Sequence, residues 1–90
     1  MDQAALAKLR ARIDIVDAKI VDLIADRDSI VEEARRLKAA SGLPLYDGPR
    51  EETILEDRAA WANARGLGED AMKEVFRAVL TLSRGPTPKQ

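Results

Sequence analysis

Between Gln3 and Ala40 the chain carries neither proline nor glycine, and its apolar residues return at alternating steps of three and four. Leu6, Leu9, Ile13, Val16, Ile20, Leu23, Arg27, Ile30, Ala34 and Leu37 keep that register, the a/d repeat of a helix packed on another helix. The pattern predicts one long helix, with Asp2 near its start as a cap or dipole-compatible charge. It ends around Ala39 to Ser41, where Gly42 can take a left-handed turn and Pro44 forbids continuation. Leu43, Leu45 and Tyr46 are expected to pin the short connection that follows. Asp47-Gly48-Pro49 then opens a second helix, running from Gly48 or Pro49 to Ala64, with a thinner stripe of Ile54, Leu55, Ala59, Trp61 and Ala62. Gly66-Leu67-Gly68 closes it. A third helix runs from Glu69 to Arg84 on Met72, Val75, Phe76, Val79, Leu80 and Leu82, and Gly85-Pro86 stops it. No strand pattern or internal repeat is present, so the expected fold is all-α, three helices in a single domain over residues 1–90, with 86–90 a flexible tail.

Length changes this picture. A compact globule of 90 residues has a radius of gyration of roughly 12 Å and a diameter near 30 Å. A helix from Gln3 to Ala40 is about 57 Å long at 1.5 Å per residue. The seam therefore outruns its own globule, and a second copy of the chain is the simplest cover for it, giving an intertwined homodimeric bundle. One seam member does not fit. The Arg27 guanidinium stays charged at any ordinary pH, so it either joins a structural ion pair or waits for an anionic ligand.

Composition narrows the chemistry. The net charge is −1, with acidic and basic residues interspersed, and no one-signed patch of the kind that binds nucleic acid stands out. Cysteine and histidine are both absent, which removes disulfides, thiolate nucleophiles, the usual neutral-pH base and the commonest metal ligands. No metal and no cofactor are expected. Met1-Asp2-Gln3 lacks the basic flank and apolar core of a signal peptide, and no stretch has membrane-spanning length, so a cytoplasmic protein without a membrane partner is expected. No second catalytic domain is expected within ninety residues.

Several charged positions invite a ligand. Lys38 follows Arg27 by eleven residues, about 20° past three full turns and about 16 Å along the axis, so the two share a face with room for a small anion between them. Arg10 lies roughly 25 Å before Arg27 and about 100° around the helix, so it cannot serve the same pocket within one chain, although it could serve a partner's. By themselves, Arg10 reads as a solvated helical arginine and Lys38 as a last-turn cation favoured by the dipole. At the head of the second helix Asp47 and Glu51 are explained as a cap and a first-turn acid, whereas Arg50 opposes the dipole unless an anion or carboxylate compensates. Ser83 falls on the stripe of Met72, Phe76 and Val79, which turns its hydroxyl toward the groove, although taken alone it reads as a small residue tolerated near a helix end. Together these residues suit a small dicarboxylate whose reaction needs positioning and electrostatic stabilisation rather than covalent catalysis.

The order Leu9-Arg10-Ala11-Arg12-Ile13-Asp14-Ile15-Val16-Asp17, Leu23-Ile24-Ala25-Asp26-Arg27, Lys38 and Asp47-Gly48-Pro49-Arg50-Glu51 resembles the all-helical (AroQ) class of chorismate mutases, over nearly the whole chain to Ser83. The resemblance implies two chains interlocked through their first helices, with each site taking one arginine from the other subunit. Arg10 of the partner and Arg27 would then hold the substrate carboxylates. Lys38 would donate to the enolpyruvyl ether oxygen, and Glu51 would accept from the ring hydroxyl with help from Asp47. Arg50 would organise the carboxylates and Ser83 would bind one of them. The implied catalytic set is Arg10, Arg27, Lys38 and Glu51, and the implied reaction is the rearrangement of chorismate to prephenate in the phenylalanine and tyrosine branch.

The chain departs from that class at its end, where a Gln or Glu donor to the ether oxygen is often found one turn after the serine. Thr87 stands there instead, beyond Gly85-Pro86, so the donor is either missing or supplied by Thr87, Lys89 or Gln90 if the tail folds over the pocket. A modest catalyst is expected, or one that needs a regulatory partner to order its tail. Isochorismate pyruvate-lyase shares the scaffold and the cation set, and a non-catalytic helical dimerisation module would also account for the seam. The module gives no reason for Arg27 in the seam, Arg50 against the dipole or Lys38 on the face of Arg27.

Overall fold

The computed structural model describes residues 2–84, which form three helices and no strand: α1 (Gln3–Ala40), α2 (Gly48–Asn63) and α3 (Glu69–Arg84). Each boundary has a local cause. The Asp2 carboxylate accepts the Ala5 N–H at 3.0 Å and caps α1. Gly42 takes φ +69° and lets the Leu43 N–H reach back to the Lys38 carbonyl at 2.8 Å, a Schellman closure. The device recurs after α2, where Gly66 at φ +73° brings the Leu67 N–H to the Ala62 carbonyl at 2.9 Å. α2 stops one residue short of the Ala64 expected from sequence, and α1 and α3 keep their expected ranges.

α2 and α3 form an antiparallel pair joined by a short turn and pack on each other more extensively than either packs on α1. Their interface holds the small core of Ile54, Ala59, Ala62, Val79 and Leu80. Large residues of the expected stripes stay outside it: Trp61, Val75 and Leu82 are exposed. A two-helix contact is too narrow to cover more than one side of each helix. Leu43, Leu45 and Tyr46 are exposed as well and do not pin the connection to a core within the chain.

α1 reaches α3 only through its C-terminal half. Residues 2–23 are exposed without exception, and Ile24, Arg27, Asp28, Val31, Glu32, Arg35 and Lys38 are half-buried. The face turned to α3 is thus not the apolar seam but lies roughly 100° further round the helix, with Arg27 between the two. Seam residues such as Ile13, Ile20 and Leu37 are 58%, 49% and 69% exposed. The radius of gyration is 17.2 Å and the longest dimension 61 Å, well beyond the roughly 12 Å of a compact globule of this length.

Candidate active site

Where the C-terminal half of α1 crosses the start of α2 and the end of α3, a cavity of about 490 Å³ opens, lined by residues of all three helices and of the connection before α2. It gathers Arg27 and Lys38 from α1, Asp47, Arg50 and Glu51 from the head of α2, and Ser83 from the last turn of α3. The apolar part of the wall comes from Ile30, Val31, Ala34, Leu45, Ile54 and Leu80. Six site residues expected from sequence therefore share one cavity. Arg10 does not, since it lies on the exposed N-terminal half of α1. Thr87 lies outside the described residues.

The polar groups divide into those already satisfied and those left open. Arg27 donates from Nη1 to the Ser83 hydroxyl oxygen at 2.6 Å. Ser83 Oγ in turn lies 2.9 Å from Asp28 Oδ1 and 3.1 Å from the Val79 carbonyl, and its single proton can serve only one of them. The structural ion pair held open for Arg27 is not formed among the described residues, since its bonded partner is a neutral hydroxyl. Arg50 is likewise without a carboxylate partner among them, as is Lys38. The Asp47 carboxylate is spent on the α2 cap, accepting the Arg50 N–H at 3.0 Å. Glu51 is ion-paired with Arg84.

Three residues of this site carry no sequence expectation: Asp28, Arg35 and Arg84. Arg35 donates to the Ser83 carbonyl at 2.7 Å and to Glu32 at 2.9 Å, which fastens the end of α3 to α1. In sequence it belongs to an ordinary Glu-Glu-Ala-Arg-Arg surface pattern, and only the helical angle, about 60° from Lys38, could have placed it near the site. The Arg84–Glu51 pair spans two helices, and no local spacing signals it.

A fifth arginine lies outside the lining of this cavity. Arg58 of α2, 16% exposed in its side chain, lies over the Trp61 ring with its guanidinium carbon 4.4 Å from the centroid and 5.8 Å from that of Phe76. Its Nε is buried without a hydrogen-bond partner among the described residues, and Asp57 approaches only to 3.9 Å. Burial pushes its pKa down from the ordinary arginine value; Arg50 and Arg27 push it the same way, and Asp57 opposes them.

Fold and site together define a class: an all-helical protein with a small cavity rich in cationic side chains, lacking thiol and imidazole. The chain belongs to the chorismate mutase type II family, whose model matches residues 9–85. It is 39% identical over 77 residues, 86% of the chain, to a T-protein of Enterobacter agglomerans, and it spans 21% of that protein's length. A chorismate mutase of Methanocaldococcus jannaschii is 29% identical over 75 residues, covering 83% of this chain and 76% of that one. A 4-amino-4-deoxychorismate mutase of Streptomyces venezuelae is 28% identical over 81 residues, covering 89% of this chain and 78% of that one. No solved structure matches significantly.

Proposed function

We propose that this chain is a cytoplasmic chorismate mutase, rearranging chorismate to prephenate in a homodimer whose two sites each borrow Arg10 from the partner. The observation that carries the reading is the set of three cations, Arg27, Lys38 and Arg50, that face one cavity without a carboxylate partner among the described residues. Unpaired cations gathered at one place repel one another and are costly unless a polyanion is to arrive there. A dicarboxylate with an ether oxygen that gains negative charge as its C–O bond breaks meets that requirement. Arg27 and the partner's Arg10 would take the carboxylates with Arg50 and Ser83, and Lys38 the ether oxygen. Glu51 would accept from the ring hydroxyl, beside the backbone of Asp47.

The rearrangement is unimolecular. One C–O bond breaks as one C–C bond forms, and no residue gives or takes a proton. The chain's contribution is to hold the compact conformer and to stabilise the separating charge with groups already in place. Arg27 has to release the Ser83 hydroxyl or share it with a carboxylate, an exchange of one charge-assisted hydrogen bond for another.

Similarity to the 4-amino-4-deoxychorismate mutase supports a second reading, in which the ring substituent opposite Glu51 is an amine. Purified chain offered chorismate, isochorismate and 4-amino-4-deoxychorismate separately decides among them. Prephenate from chorismate as the fastest reaction is the expected result. Pyruvate from isochorismate without prephenate from chorismate would overturn it.

A further inference from the structure

We propose that Arg84 is a specificity residue: by pairing with Glu51 it makes the site prefer a substrate with a neutral ring hydroxyl over one with an ammonium at the same position. The inference rests on the reading of Glu51 as the acceptor for that ring substituent. Glu51 stands in the first turn of α2 with its side chain 24% exposed, and Arg84 stands in the last turn of α3, 50% exposed, both on the cavity wall. Arg84 Nη2 donates to Glu51 Oε1, and Oε2 has no partner among the described residues. A hydroxyl can donate to Oε2 whether or not the carboxylate is compensated. An ammonium gains much more from a bare carboxylate than from one already facing a guanidinium, because its repulsion by the guanidinium offsets much of the attraction.

The same cation also adds to the field drawing in a doubly negative substrate, and its loss costs the hydroxyl compound, a net dianion, more than its amino analogue. Both effects have one sign. The cation is half-exposed, so solvent screening keeps the change moderate. Nothing in the position of Arg84 along the chain shows this, since a cation in a last helical turn is favoured by the dipole in any case. The pairing across α2 and α3 is what gives it a second task.

The test compares kcat/KM for chorismate and for 4-amino-4-deoxychorismate in the unmodified chain, in Arg84→Gln and in Arg84→Lys. The unmodified chain is expected to favour chorismate. Arg84→Gln should move the ratio toward the amino compound by about fivefold or more, mainly through KM, and Arg84→Lys should hold it within about twofold. A purely structural role would lower both activities together and leave the ratio unchanged, which would overturn the proposal. A ratio that moves equally in Arg84→Lys would overturn it too, since charge would then not be the cause. Shifts in melting temperature on adding each compound give the same comparison if turnover in Arg84→Gln becomes too slow to follow. Failure of the unmodified chain to use either compound would remove the underlying reading, and is distinguished by being seen before any substitution is made.

Discussion

Arg27 is bonded to a hydroxyl rather than a carboxylate, so replacing it leaves no buried charge unpaired. Arg27→Ala is expected to keep the fold, with stability within about 1 kcal/mol by chemical denaturation, while kcat/KM for chorismate falls by about 10² to 10³. An interaction module would show the first result and have no activity to lose. The misfit that makes this residue informative was legible in sequence, because a guanidinium in an apolar repeat is anomalous whatever the fold. Arg58 was not legible. Its burial depends on how α2 lies against Phe76 of α3, and its Nε, without a partner among the described residues, and the unfavourable approach of Arg27 of α1 arise only from packing between helices. Burial lowers its pKa, yet a guanidinium keeps its proton at any ordinary pH, so titration near neutrality does not report the cost. Substitution exposes what titration cannot. Arg58→Met keeps a flexible side chain against Trp61 and removes the desolvated charge, and is expected to hold or raise the melting temperature. A loss above about 1 kcal/mol would show that the cation–π contact outweighs desolvation.

Helix limits were legible because each is set within four residues of itself, by Asp2, Gly42, Asp47-Gly48-Pro49 and Gly66. Side assignment along α1 was only partly so. The a/d seam marks the strongest apolar face, yet α1 turns a neighbouring face, from Ile24 to Lys38, toward its own α3. A helix that meets two neighbours has two faces, and a single periodicity reports the more apolar of them. The seam left exposed is where a second chain would lie, and adjacent residues test it. Val16 is on the seam and Ile15 lies off it by roughly a third of a turn, though both are more than half exposed in the single chain. Val16→Asp should weaken association at least tenfold in sedimentation equilibrium and make the melting temperature fall, since a carboxylate in an apolar interface goes unpaired. Ile15→Asp should do neither. Equal effects from the two would show that the seam is not the contact.

For the whole molecule, the distance between Arg10 and the cavity becomes a statement about assembly. The N-terminal half of α1 is exposed throughout and Arg10 lies away from the cavity, so under the proposed function Arg10 would serve only a partner's site. If each site takes Arg27 from one chain and Arg10 from the other, a heterodimer of Arg10→Ala and Arg27→Ala chains has one site with both substitutions and one with neither. Random exchange of equal amounts puts about half of the dimers in that mixed form, each with one intact site of two, so about one quarter of the unmodified activity should return. The parent homodimers, each lacking one arginine at both sites, should stay near background. Recovery near one quarter requires that the two arginines meet across the interface, because no arrangement confined to one chain can rebuild a complete site from two defective ones. No recovery, with exchange confirmed by mass-labelled chains, would mean that Arg10 does not serve the partner's site and that the cavity of α1, α2 and α3 works with the cations it already holds.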